Sequence, residues 1–212
     1  MSYDHALYCQ QIGLKALGFD PGPADGLDGP KTRSALKASA AARLGKSDVP
    51  RPRPTHKDKV RVFGEPGREA ALKRVTLPWP MKIAWGGGSR KTIRMHKLIA
   101  DKMVAALQEI LDSKGMDFVR EYGLDLFGGD FVNRKSRGSK ATSDHAWGIA
   151  LDLNPEANGN YTTWEPGKPA ANGTKQMPRE AVAIFQKHGF QVGFKRDSGR
   201  RDMMHIAFVD RP

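Results

Sequence analysis

The chain has 212 residues, 39% hydrophobic and 27% charged, which suits one packed globular domain plus a small accessory unit. No apolar run approaches the roughly 18 residues of a membrane span. The one cysteine, Cys9, excludes an intramolecular disulfide and a thiolate zinc site, so any metal must be held by carboxylates and the six histidines. A net charge of +12 draws the chain toward polyanions, either nucleic acid or an anionic cell envelope, and charge alone does not separate these. Met1 to Phe19 lack the basic start and apolar stretch of a secretory signal, so the chain is expected to be made in the cytoplasm.

From about Tyr3 to Leu44 the pattern predicts a small helical unit. Leu7, Leu14 and Leu17 share one face of a first helix, which Gly18 ends. A turn-rich stretch follows, and Pro30 can open a second helix running to about Arg43, since its missing N–H costs nothing there. Leu17-Gly18-Phe19, Asp25-Gly26 and Gly29-Pro30-Lys31-Thr32 resemble the peptidoglycan-binding module found beside many wall hydrolases, in a shortened form. Residues 46–60, with Pro50-Arg51-Pro52-Arg53-Pro54, Lys57 and Lys59, read as a semi-extended basic linker. No aromatic residues interleave with its charges, which disfavours nucleic acid as the partner.

The second unit follows, from about residue 61 to 212. Ile99, Met103, Ala106 and Ile110 predict a helix from Ile93 to Lys114, with Gly115 as its stop and His96 in its first turns. Pro178 to His188 reads as another helix, with His188 in the last turn where the helix dipole favours a cation. Gly148–Asn154 and Met204–Val209 alternate with period two, as strands do. Without repeating βαβ units, the expectation is an α+β fold: a central, mainly antiparallel sheet with flanking helices, plus the N-terminal helical module.

In the first of these strands Ile149, Leu151 and Leu153 point one way, and Ala150 and Asp152 the other. A carboxylate between two leucines needs a partner, which a metal ion or an arginine could supply. In the second strand Met204, Ile206 and Phe208 share a face, leaving His205 with Ala207 on the opposite one. If the strands pair, and if a bend at Gly148 folds His145 back, then His145, Asp152 and His205 converge. Two histidines and one carboxylate leave a fourth tetrahedral position, the layout of a catalytic zinc site. Asp202, three residues before His205, can enter from the loop as a general base.

Ser143-Asp144-His145, then Asp152 after six intervening residues, and Asp202-Met203-Met204-His205 resemble the D-alanyl-D-alanine carboxypeptidase and L-alanyl-D-glutamate endopeptidase family. These zinc peptidases belong to a wider group that includes lysostaphin-type enzymes, and several phage endolysins are among them. The likeness runs from about Lys91 to Phe208, through Gly128-Gly129 and Asn133 to Gly138, then Ser143 to Gly148 and Phe185 to Phe190. It departs at Gln191-Val192-Gly193-Phe194 and at Ile206-Ala207, where relatives often carry Trp-Gly-Gly and Phe-Glu. The resemblance implies that His145, Asp152 and His205 bind zinc and that Asp202 is catalytic base and acid. It further implies that Ser143 and an arginine, Arg134 or Arg137, contact substrate, with Arg137 preferred. Trp147 joins the expected substrate contacts.

The expected activity is hydrolysis of an amide bond in the wall stem peptide, at the L-alanyl-D-glutamate position. The alternatives are a D-alanyl-D-alanine carboxypeptidase and a non-catalytic wall- or polyanion-binding protein. Peptidoglycan and anionic envelope polymers are the expected partners, and the chain is expected to act as a monomer. It would meet the wall or periplasm after release, for instance through a holin.

Overall fold

The computed structural model describes residues 4–16, 19–36, 53–136, 139–159, 162–193 and 201–210. The chain divides into two compact units, Met1–Pro50 and Arg51–Pro212.

In the first unit α1 (His5–Ala16) is opened by Asp4, whose carboxylate accepts the N–H groups of Ala6 and Leu7 at 2.8 and 3.1 Å, satisfying donors that a helix start leaves free. A second helix, α2, is described over residues 30–36; its expected continuation to Arg43, and the expected stop at Gly18, lie outside the described residues. Leu14 and Ala35 are buried, and Gln11, fully buried, ties the intervening turn together. Its amide nitrogen lies 3.0 Å from the Thr32 hydroxyl and 3.1 Å from both the Asp25 carboxylate and the Leu27 carbonyl. Its oxygen accepts the N–H groups of Asp25 and Gly26.

The second unit is built on a six-stranded sheet in the order β2-β1-β3-β4-β6-β5. The strands are β1 (Leu72–Ile83), β2 (Ser89–His96), β3 (Leu126–Gly129), β4 (Ala150–Leu153), β5 (Gln191–Val192) and β6 (His205–Ala207). Among the described strand pairs only β1–β3 is parallel, so the expected α+β fold with a mainly antiparallel sheet is what the chain adopts. On β1, Val75, Leu77, Trp79 and Met81 are buried, while Pro78 and Pro80 lack the N–H a ladder needs. The β1–β2 register accordingly slips between Thr76 and Met81.

Four helices belong to this unit among the described residues: α3 (Lys59–Phe63), α4 (Ala100–Glu121), α5 (Pro155–Asn158) and α6 (Arg179–Lys187). α4 packs on β1 and β2, and α6 packs against α4 and β5. The helix expected from Ile93 is corrected: Ile93, Met95 and His96 belong to β2, and α4 starts at Ala100. Short apolar runs suit either periodicity, and pairing with β1, which buries Ile93 and Met95, decides for the strand. Gly115 breaks α4 with φ 77° and ψ 173°, but helical residues resume beyond it as far as Glu121. α6 falls where expected, and His188 at its end meets Glu109 on α4 at 2.8 Å, a partner beyond the helix dipole.

The segment read as linker is in part outside the described residues, but from Arg53 it is tied to the second unit. Arg53 pairs with Asp210 at 2.6 Å and Thr55 bridges to the same residue. The chain then turns into α3, whose Lys59 and Phe63 are buried.

Candidate metal centre

Strand pairing does the first part of the assembly. β4 and β6 are antiparallel with Asp152 directly opposite His205 and Ala150 opposite Ala207. Opposed residues share a sheet face, so the two polar side chains stand side by side, next to an alanine pair. Ile206, Leu151 and Leu153 take the other face and are fully buried. Strand β3 comes unusually close on the other side: a Cβ on Gly128 would lie 3.0 Å from both the Cβ and the carbonyl oxygen of Asp152. Glycine permits that approach.

The third candidate ligand comes from a turn. Ser143 in extended conformation leads into a 3-10 turn, Asp144–Trp147, closed by Gly148 in the left-handed region at φ 66°. A side chain at Gly148 would also collide with Leu72, 2.6 Å away. This reversal brings His145 Nε2 to 3.1 Å from Asp152 Oδ2, while His205 Nδ1 lies 2.9 Å from Asp152 Oδ1. One donor atom from each of the three residues falls within 4.8 Å of the others, and all three side chains are buried. The imidazoles meet edge to face, 5.1 Å apart.

Hydrogen bonds behind the rings decide which nitrogens face inward. His145 Nδ1 donates to the Asp130 carbonyl, leaving the lone pair of Nε2 directed at Asp152. No hydrogen-bond geometry joins that buried Nε2 to a partner. His205 donates from Nε2 to Asp144 Oδ2 at 3.1 Å, so Nδ1 is its inward nitrogen. Imidazole lone pairs and a carboxylate crowded together in a buried site repel unless a proton or a cation sits between them. Two inward nitrogens and one carboxylate fit a divalent metal of the zinc type and leave room for a further ligand.

The ionisation of these groups in the metal-free chain follows the same logic. Burial alone would lower the His205 pKa, but hydrogen bonds to Asp144 and Asp152 overcome it and hold the value at about 10. Burial would raise Asp152, but the adjoining His145 and His205 keep it well below the usual carboxylate range. A proton therefore occupies part of the space a metal would take.

Behind His205 the polar chain continues. Asp144, completely buried, accepts a hydrogen bond from Lys59 Nζ at 2.8 Å, and the Lys59 side chain is only 2% exposed. The ammonium also lies 4.2 Å from the centre of the Trp147 ring. Removing one member of such a buried pair typically costs about 3–5 kcal/mol, whereas replacing both together is often tolerated. Behind His145, the Asp130 carboxylate accepts the backbone N–H of Arg94 at 2.8 Å and stands 3.4 Å from Arg90.

The remaining sequence candidates fall as follows. Asp202 is 5% exposed and sits in the turn entering β6, its carbonyl accepting the His205 N–H at 3.1 Å. Ser143 is buried, with its backbone N–H on the Arg134 carbonyl. The Arg134 side chain is exposed and donates to the Lys135 carbonyl. Arg137 lies outside the described residues. Trp147, expected at the substrate, is 6% exposed and donates its indole N–H to the Gly64 carbonyl at 2.8 Å. Its ring and its polar edge are engaged with α3 and the residue that follows it.

Lys59, Asp144 and the Asp130 carbonyl were not foreseen. Asp144 had a signal in its adjacency to His145, but Lys59 sits in a run of basic residues with nothing local to set it apart.

The family described as D-alanyl-D-alanine carboxypeptidase matches residues 137–208. That stretch contains all three candidate ligands and Asp202, and it excludes α3. No curated protein and no solved structure matches the chain. Among the described residues no helix is long and apolar enough to cross a membrane.

Proposed function

We propose that the chain is a zinc-dependent peptidase that hydrolyses an amide bond in the stem peptide of bacterial peptidoglycan, at the L-alanyl-D-glutamate position. The observation that carries this reading is the buried His145–Asp152–His205 cluster, with His145 Nε2 aimed at a carboxylate without a hydrogen bond. The family match over the same residues supports it. A first unit that resembles a wall-binding module supports peptidoglycan as the target, and a +12 charge favours encounter with the carboxylates of wall peptides.

His145 through Nε2, Asp152 through its carboxylate and His205 through Nδ1 would hold the zinc. The metal supplies Lewis acidity, which lowers the pKa of water toward neutrality and polarises a peptide carbonyl. Asp202 takes a proton from the attacking water and returns it to the leaving amine nitrogen. Such proton transfer contributes typically 10²–10⁴-fold. The Asp130 carbonyl keeps the His145 imidazole in the tautomer this arrangement needs. Arg134 or Arg137 engages a substrate carboxylate, for which guanidinium geometry is suited.

His145→Ala and His205→Ala are expected to abolish both zinc content and hydrolysis of purified peptidoglycan. Asp202→Ala is expected to keep zinc and lose turnover by about 10²–10⁴-fold. A metal-free His205→Ala protein that still cleaves would refute the assignment. The description of the matched family favours a second reading, removal of a terminal D-alanine. Mass spectrometry of the released products separates the two: a single D-alanine supports the carboxypeptidase, and longer fragments support cleavage within the stem.

A further inference from the structure

Two features of the second unit are unused by the mechanism: a lysine buried to 2% exposure and the fully buried aspartate it meets. We propose that Lys59 and Asp144 are positioning residues that fix Nδ1 of His205 as its metal-facing nitrogen. This inference rests on the zinc reading of the site.

The argument begins with direction. His205 has Asp152 at Nδ1 and Asp144 at Nε2, at 2.9 and 3.1 Å, so its ring is held at both ends by carboxylates from neighbouring backbone segments. Asp152 is within reach of both histidines, and Asp144 meets the outward edge of His205. An imidazole bound to metal through one nitrogen donates from the other, and a carboxylate acceptor there both sets the tautomer and raises the basicity of the ligating nitrogen. Asp144 occupies that place.

Lys59 holds the carboxylate in that place. Its ammonium reaches Asp144 Oδ1 at 2.8 Å, on the oxygen not used by His205. The two oxygens of Asp144 are thus divided between one cationic donor and one imidazole N–H. The ammonium is further held over the Trp147 ring.

The geometry of α3 shows that Lys59 is seated by several contacts. Trp147 donates its indole N–H to the Gly64 carbonyl at 2.8 Å, and His96 Nε2 meets the Phe63 carbonyl at 3.2 Å. These contacts clamp the end of α3 to the turn that carries Asp144 and His145, and to the end of β2. A short helix outside the family-matched stretch thereby sets the orientation of a ligand near the end of that stretch.

The test uses the full chain, zinc and cobalt, with two variants. In Asp144→Ala the acceptor is gone. In the double variant Lys59→Met/Asp144→Asn both charges leave together, so neither is buried alone and folding is preserved. Zinc affinity is measured by chelator competition and ligand geometry by the visible spectrum of the cobalt-loaded protein. Circular dichroism of the metal-free forms reports the fold. Asp144→Ala is expected to lower zinc affinity about 10–100-fold and to shift the cobalt spectrum. The double variant is expected to fold as the parent does and to lose about tenfold in affinity. Parent-like affinity and an unchanged cobalt spectrum in the folded double variant would overturn the positioning role while leaving the zinc site standing. A parent chain that binds no zinc would overturn both. A parent that binds zinc without cleaving peptidoglycan would remove the proposed function alone, and the affinity series would still decide the roles of Lys59 and Asp144.

Discussion

Gln11 in the first unit and the His145–Asp152–His205 cluster in the second are both polar groups taken out of water, and they are treated in opposite ways. Gln11 meets complementary partners at each end: its nitrogen faces acceptors and its oxygen faces donors. In the cluster the partners do not match: His145 Nε2 faces the Asp152 carboxylate with no hydrogen bond, and His205 Nδ1 meets it at 2.9 Å only by carrying a proton, while the other nitrogen of each ring points outward, to Asp130 and Asp144. Burial with complementary partners stabilises a fold; buried acceptors that need an added proton to coexist define a place for a cation. The difference separates a structural polar residue from a candidate metal site.

Removing the cation is the strongest way to test that contrast. With zinc at about a thousand times its Kd, a chelator should lower the stability of the second unit by about 4 kcal/mol. Hydrogen exchange should quicken in β4 and β6 and stay unchanged in α1. The effect has a pH direction. In the metal-free chain the His205 pKa is raised from 6.5 to about 10, so the stability its proton confers is complete below pH 6.5 and is lost as pH rises through about 10. Zinc requires His205 neutral, so proton competition weakens binding at the acid end. The gap in thermal midpoint between zinc-loaded and chelated protein should therefore widen with rising pH across that window; a gap that narrows would contradict the shared role of His205.

The reciprocal change is Gln11→Ala. It leaves the Asp25 and Gly26 N–H groups without their acceptor, at about 1–3 kcal/mol per unsatisfied buried group. Exchange should quicken in α1 while zinc content stays at the parent value. Altered zinc content would show that the two polar centres are not independent.

Gly128→Ala sharpens the comparison least but locates it best. The added methyl presses on Asp152 from 3.0 Å. If about 1 kcal/mol of the resulting strain falls on the ligand, zinc affinity drops about fivefold. Chelator competition reads that directly, and parent-like affinity would mean that β3 gives way instead.

Much of this centre was legible along the chain because strand alternation is a local property. Ile149, Leu151 and Leu153 declare one face of β4, which leaves Asp152 on the other, and Met204 and Ile206 do the same for His205. The reversal at Gly148 was legible for a similar reason, since a glycine beside a strand marks a bend. Less legible was Ile93 to His96, an apolar run compatible with either helix or strand until β1 claimed it. Trp147 was expected among the substrate contacts; its burial against α3 depends on a segment far away in sequence.

What the amino-acid order determined by itself was the α+β class and the side of each strand on which a candidate ligand stands, because side-chain alternation needs no knowledge of the rest of the fold. Tertiary structure alone decided that β4 lies against β6 in the register that opposes Asp152 to His205. It alone also drew Lys59 out of a basic stretch and into the interior. A lysine enters such a place only when a carboxylate meets it there, and Asp144 is 85 positions further along the chain. Proximity of that kind is created by packing, and no local pattern encodes it.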